Sequence, residues 1–151
     1  MNQLGLVSRS SVALTLDRTD GMRWVTIVGV IGFASAAAMA SFGLPPVDLH
    51  GPLHRMGIMD PLCGGTRAAR LTAQGNLGAA WRYNPLGIVT TVAAGLAAAR
   101  LLLGLTARRW VNVSIFWTPR TKRIALVVVL VLLTALEVRQ QGRADLLLRR
   151  S

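Results

Sequence analysis

The sequence contains a single cysteine and few acidic residues. One cysteine cannot form an intrachain disulfide, so the sequence gives no indication of the redox compartment. Only 6 Asp and Glu accompany 17 Lys and Arg, and the net charge is +11. In a soluble chain, such an excess of basic over acidic residues is typical of nucleic-acid-binding proteins. Aromatic residues make up only 5% of this chain and do not interleave with a basic patch, so no nucleic acid is predicted as a partner.

Hydrophobic residues make up 52% of the chain and are gathered into long runs. Long uncharged runs are typical of membrane-spanning helices. We therefore predict an all-α integral membrane protein with three transmembrane helices, over about 24–44, 86–105 and 122–138. The third is the weakest, because its uncharged part, 124–136, covers only about 20 Å. In a membrane the arginines flank the spans and meet anionic lipid headgroups.

These spans divide the chain into a flexible leader (1–23), a membrane domain (24–139) with a motif loop at 45–85, and a basic tail (140–151). Cleavage of the first run as a signal peptide is disfavoured by the length of the leader before it. The basic residues divide evenly between the two sides, so the positive-inside rule does not decide the topology. The compact, acid-free second loop favours a cytoplasmic N-terminus.

Small residues recur every four positions along the first two spans. Such stripes let helix backbones approach closely. We expect these faces to contact each other, a second copy or a helix of a partner protein. The stripe residues are Gly32, Ala36 and Ala40 in the first span and Gly87, Thr91, Gly95 and Ala99 in the second.

The motif loop is the most distinctive segment of the sequence. A Gly64-Gly65 turn precedes Thr66, which we expect to cap a short amphipathic helix beginning at Arg67. Gly75-Asn76 breaks this helix, and 77–83 is predicted to form a second short turn. An amphipathic pair of this kind would lie in the membrane interface. Further along, Asn84-Pro85 is typical of a helix start, and it predicts the beginning of the second span.

These elements resemble the DUF2752 family of small bacterial membrane proteins, whose function is unassigned. The family motif is Cys-Pro-x-Cys-Gly-x-Thr-Arg, followed by a Gly-Asn/Asp break and by Arg-x-Asn-Pro at the start of a span. The matching residues are Asp60-Pro61-Leu62-Cys63-Gly64-Gly65-Thr66-Arg67, Gly75-Asn76 and Arg82-Tyr83-Asn84-Pro85-Leu86. The resemblance covers roughly 44–105 and implies a multi-pass protein of the bacterial inner (plasma) membrane. The overall look of the chain also resembles actinobacterial members of the family, including mycobacterial ones.

The chain departs from the family pattern in its cysteines. Asp60 stands before Pro61 where family members often have a cysteine, and Gly51 precedes Pro52 where they have an upstream Cys-Pro. Of three sulfurs only that of Cys63 remains. Cysteine-based chemistry, whether disulfide or metal, is therefore not carried over from the family.

Anion binding is one chemistry that the motif loop can support. Two glycines before a helix start can present backbone N–H groups, and a helix N-terminus favours negative charge. The candidate site for an anion or a lipid headgroup consists of Gly64, Gly65, Thr66, Arg67 and Arg70. The same residues serve a purely structural role if the glycines only form a tight turn and Arg67 bonds within the fold.

Catalysis and metal binding have weaker support. Cys63 and His54 could form the Cys–His pair of a membrane enzyme, with Asp60 nearby. His50, together with those three residues, offers donors for zinc, but their spacing matches no standard site. We therefore predict no metal and no cofactor.

The function predicted from the sequence is that of a non-enzymatic accessory or scaffold subunit of a membrane complex. This prediction depends on the small-residue stripes and on the lack of a convincing catalytic set. A lipid-headgroup or anion-binding protein and a membrane enzyme using Cys63 and His54 are the alternatives.

Overall fold

The computed structural model describes residues 11–44 and 60–145, and these are mostly helical. In chain order the described elements are β1 (Ser11–Asp17), α1 (Arg23–Phe42), α2 (Gly65–Ala73), α3 (Leu77–Tyr83), α4 (Pro85–Ala107), β2 (Trp110–Phe116) and α5 (Pro119–Gln141).

Helices α1 and α4 are long and apolar enough to cross a membrane. They agree with the first two predicted spans. Helix α5 is not among the helices that meet this criterion, so the predicted count of three spans is not confirmed. Charged residues at both ends of this helix leave the apolar stretch 124–136 uninterrupted.

Helices α1 and α4 pack against each other antiparallel. Gly29 of α1 lies so close to Ala97 of α4 that an added Cβ would overlap the alanine methyl. One turn further along α1, a Cβ on Gly32 would lie 3.7 Å from the Cβ of Ala94. Gly29, which lies outside the predicted stripes, is a point of tight contact between the two helices.

The other predicted stripe residues serve several contacts. Ala36 and Thr91 are buried, whereas Ala99 is exposed. Gly95 lies beside the Phe33 ring, 3.5 Å from where its Cβ would be. Gly87 faces α2 and not α1, because a Cβ on Gly87 would lie 2.7 Å from the Cβ of Ala68. The Ala40 carbonyl accepts a 3.0 Å hydrogen bond from Gln74 Nε2.

The two strands form an antiparallel ribbon that runs from the Ser11–Phe116 pair to the Asp17–Trp110 pair. The described residues are mostly helical, as predicted, and the ribbon adds a β element that the predicted all-α class did not include. Residues 11–17 belong to the predicted leader and residues 110–116 to the second loop. Both segments alternate apolar and polar side chains, which is the period of a strand, but their partners are distant in the sequence.

The antiparallel packing gives the molecule two ends. The motif block, which we define as residues 60–85, lies at the end where α1 finishes and α4 begins. The ribbon lies at the opposite end. Helix α5 starts after β2, packs along neither α1 nor α4, and reaches the motif block with its last turn. Its large apolar residues between Leu126 and Leu133 are exposed all around the helix.

Candidate functional site

The motif block begins with a tight turn organised by Asp60. One carboxylate oxygen of Asp60 accepts a hydrogen bond from the Leu62 N–H at 2.7 Å, and its carbonyl accepts one from the Cys63 N–H at 3.1 Å. An Asp side chain commonly bonds the backbone two residues on in this way. The carboxylate thus has a structural role at a position where family members often have a cysteine.

Helix α2 starts at Gly65, and Gly64 is its N-terminal cap. Gly64 has a φ of 74°, a left-handed conformation that glycine adopts at little cost. The prediction that Thr66 caps a helix beginning at Arg67 is wrong, because this turn starts the helix two residues earlier and Thr66 falls within its first turn. The Gly65 N–H donates to the Leu62 carbonyl at 2.8 Å. That amide is therefore already engaged within the turn.

Asn84 ties the turn to the start of α4. Its Nδ2 donates to the carbonyls of Pro61 at 2.9 Å and Cys63 at 3.0 Å, while its Oδ1 accepts from the Leu86 N–H at 2.8 Å. The side chain is fully buried. Asn84 is the cap of α4 and Pro85 its first residue, so the predicted helix start is confirmed.

Cys63 is buried under the C-terminal segment of the chain. It is 5% exposed and packs against Tyr83 and Ala144. Burial raises the pKa of its thiol, which lowers the fraction of reactive thiolate at neutral pH. This environment suits a small packed residue better than a nucleophile.

The two arginines of the candidate anion site lie on α2. The Arg67 guanidinium carbon lies 5.6 Å from the centre of the Tyr83 ring, a cation–π arrangement. Arg70 is half-buried, and its buried Nε has no hydrogen-bond partner among the described residues. Of the two arginines, Arg70 therefore has unused bonding capacity.

The last turn of α5 and the residues after it cap the end of α3. Arg139 donates to the carbonyl of Trp81, Gln140 Nε2 to that of Tyr83 at 3.0 Å, and Arg143 to that of Arg82 at 2.8 Å. A helix leaves its last carbonyls unpaired and favours cations there. We refer to these three donors, Arg139, Gln140 and Arg143, as the clasp. The sequence analysis missed the clasp, since nothing local to 139–143 indicates its acceptors.

A second polar cluster lies at the ribbon end, around Arg100. The sequence analysis did not pair Arg100 with any residue. Its Nη2 lies 2.7 Å from Asp20 and 2.8 Å from the Asn112 amide oxygen, and its Nη1 donates to Thr26. The hydrogen bond from Arg100 lowers the pKa of Asp20, with further contributions from Thr26 and the Met22 N–H. The cluster joins α1, α4 and β2.

Of the candidate metal and catalytic residues, the structure describes Asp60 and Cys63, which share the Asp60 turn. The described residues do not include His50, His54 or the Gly51-Pro52 pair. Within 11–44 and 60–145, no group of three or more His, Cys, Asp or Glu side chains is placed to hold a metal ion.

The comparisons with known proteins bear on the motif block. Residues 52–98 match the model of a family described as a protein of unknown function, DUF2752. The matched segment includes the Asp60 turn, α2, α3 and the first half of α4, so the resemblance predicted from the motif is confirmed there. No curated protein and no solved structure matches the chain.

Proposed function

We propose that this chain, whose residues 52–98 match a family of unknown function, is a non-enzymatic accessory or scaffold subunit of a membrane complex. One observation carries this proposal. The distinctive motif side chains Asp60, Cys63 and Asn84 are engaged within the fold, whereas α1, α4 and α5 expose apolar side chains. A fold of this kind positions helices and offers their surfaces to lipid or to other helices.

The proposed location is the bacterial inner membrane, with α5 as a third span. Its 23 residues reach from the ribbon to the motif block, a length of about 34 Å. The clasp at its end belongs to the same side of the molecule as the motif block. This arrangement fits a helix that crosses the same bilayer as α1 and α4. Its exposed apolar surface would then face lipid or partner helices.

Helix α1 offers a specific surface for a partner helix. Ala34, Ala38 and Ser41 are exposed and lie on the side of the helix opposite the buried Ala36. Small residues at this spacing let a second helix approach closely. The stripe that faces α4 is already occupied within the chain, whereas this small-residue face is free for assembly with a partner protein or a second copy.

The test compares two bulky substitutions on α1. Ala38→Phe blocks the free small-residue face, and we expect it to remove co-purifying partners in mild detergent. Val28→Phe adds bulk at another exposed position of the same helix, and it should leave them in place. Equal partner recovery with both variants would contradict the proposed face.

Binding of an anion or lipid headgroup is the second candidate function. The observation that favours it is the Arg70 Nε, which is buried without a partner among the described residues. In this proposal the site is formed by Gly64, Gly65, Thr66, Arg67 and Arg70.

The lipid candidate is tested by lipid mass spectrometry of the purified protein. Replacing Arg67 and Arg70 by Ala should remove bound anionic lipid, whereas Arg82→Ala, at an exposed position of the same block, should not. Unchanged lipid content in the double variant would contradict this candidate. A membrane enzyme using Cys63 and His54 is disfavoured by the buried thiol with its raised pKa. That alternative predicts loss of function in Cys63→Ala.

A further inference from the structure

The ribbon has one entirely apolar face. In β1 the apolar residues alternate with Ala13, Thr15 and Asp17, and side chains that alternate along a strand point to opposite faces. The antiparallel register places Val12, Leu14 and Leu16 opposite Ile115, Val113 and Val111. Their fractional exposures range from 36% to 71%. The ribbon's apolar face consists of Val12, Leu14, Leu16, Val111, Val113 and Ile115.

The opposite face of the ribbon is fixed to the helices by polar contacts. Asn112 is buried, accepts hydrogen bonds from Arg100 and the Gly21 N–H, and donates to Asp17 at 2.8 Å. Arg100 lies on α4, and Gly21 directly precedes α1. Because this face packs against the last turns of α4 and the segment before α1, the apolar face points away from them.

The ribbon lies beside α4, not beyond its end. The Trp110 ring covers Gly104, where an added Cβ would lie 2.5 Å from the ring. One residue on, the Val111 carbonyl accepts a hydrogen bond from Arg100 Nε. Strand β2 therefore runs back along the last two turns of α4. The apolar face is thus directed sideways, where a bilayer crossed by α4 would be.

The flanks of the ribbon carry positive charge suited to anionic headgroups. The residues between α4 and the apolar part of α5 include no acid. The exposed basic side chains near the ribbon are Arg18, Arg108, Arg109, Arg120, Lys122 and Arg123. An apolar face bordered by arginines fits the boundary between headgroups and acyl chains. The open strand edges favour this boundary over the hydrocarbon centre, where unpaired backbone groups are costly.

We propose that the β1–β2 ribbon is an interfacial membrane anchor whose apolar face embeds in the outer part of one leaflet, with the surrounding arginines at anionic phosphates. The inference goes beyond the accessory-subunit role and assigns a lipid contact to the leader and the second loop. It shares with the proposed function only the premise that α1 and α4 cross the bilayer.

The test places an environment-sensitive fluorophore on single introduced cysteines of the full chain in phosphatidylcholine–phosphatidylglycerol vesicles. Leu14→Cys reports the apolar face, and Thr15→Cys is its matched control on the opposite face, where the side chain is also exposed. Leu96→Cys, exposed in the middle of α4, reports whether that helix crosses the bilayer. The unmodified chain is the labelling blank, since Cys63 is buried.

Lipids with a nitroxide near the headgroup end of the acyl chain should quench the label at Leu14 but not at Thr15. Iodide in the water should show the reverse pattern. Equal access of iodide to both positions would overturn the anchor. A label at Leu14 that neither quencher reaches, together with cross-linking between copies at that position, would indicate a dimer contact and would also overturn it. Quenching at Leu96 without quenching at Leu14 refutes the anchor alone. Absence of quenching at Leu96 by nitroxides placed deep in the bilayer refutes the membrane placement itself.

Discussion

Asn84 provides the sharpest test of the motif block as a structural unit. Its amide makes three hydrogen bonds that connect the Asp60 turn to the start of α4, and water does not reach it. Replacement by alanine removes the helix cap and leaves the carbonyls of Pro61 and Cys63 without this donor. Both effects act at the junction that positions α2 against α4.

The expected loss follows from these contacts. Removing an asparagine cap costs about 1 kcal/mol, and each buried group left unpaired costs roughly 1–3 kcal/mol. Because relaxation of the turn recovers part of this loss, we expect Asn84→Ala to lower the free energy of unfolding by about 3 kcal/mol. For a chain of this size, that corresponds to a melting temperature lower by about 10 °C.

The chain offers both a reporter and a control for this experiment. Cys63 is the single cysteine and is buried, so a maleimide fluorophore that reacts with free thiols reports unfolding in detergent. Asn76→Ala is the matched control, since Asn76 caps α3 by accepting from the Ala79 N–H at 3.1 Å but is exposed. It should lower the melting temperature by only about 3 °C. If both variants melt at the same temperature, the assigned role of Asn84 is wrong.

Three further predictions concern the remaining contacts. Gly29→Ala should destabilise the chain by about 1–3 kcal/mol, because the added methyl group would overlap with the facing helix. Gly32→Ala, where the added methyl group has room, should be neutral or stabilising. Equal melting temperatures of the two variants would contradict the helix packing. Asp20→Asn should lower the melting temperature at neutral pH but not in acid. Its arginine partner lowers the pKa of the carboxyl, so this stabilisation is present above the unfolded pKa and lost as the pH falls below about 4; a pH-independent difference would refute the ion pair. Gln140→Ala should speed maleimide labelling of Cys63 in the folded protein, because the clasp holds the segment that covers the thiol, and an unchanged rate would contradict that role.

The sequence predicts those features whose signals are local. Asn84-Pro85 marks the start of α4 because the cap and the first proline act within one turn. Long apolar runs mark α1 and α4 because burial in lipid needs only composition and length. The Gly64-Gly65 pair correctly indicates a turn before a helix, although the position of the cap depends on which glycine takes the left-handed conformation.

Features that depend on distant partners were not predictable from the residues alone. The ribbon pairs Asp17 with Trp110, and seven-residue strands give a weak signal beside long helical runs. Arg100 lies near the end of a span, where a solvated arginine is the ordinary expectation, and only the fold places Asp20 beside it. The clasp likewise depends on α5 returning to the motif block, which the sequence pattern of 139–143 does not indicate.

The proposed accessory role requires that this fold present helix surfaces for assembly with another protein or a second copy. The most direct test is native mass spectrometry of the protein, tagged and expressed at its natural level, released from mild detergent. The account predicts a defined complex in which the chain is stoichiometric with a membrane protein partner or with further copies of itself, and from which Ala38→Phe is released. A monomer carrying no partner would contradict it, and specific anionic lipid bound to that monomer would favour the Arg70 site.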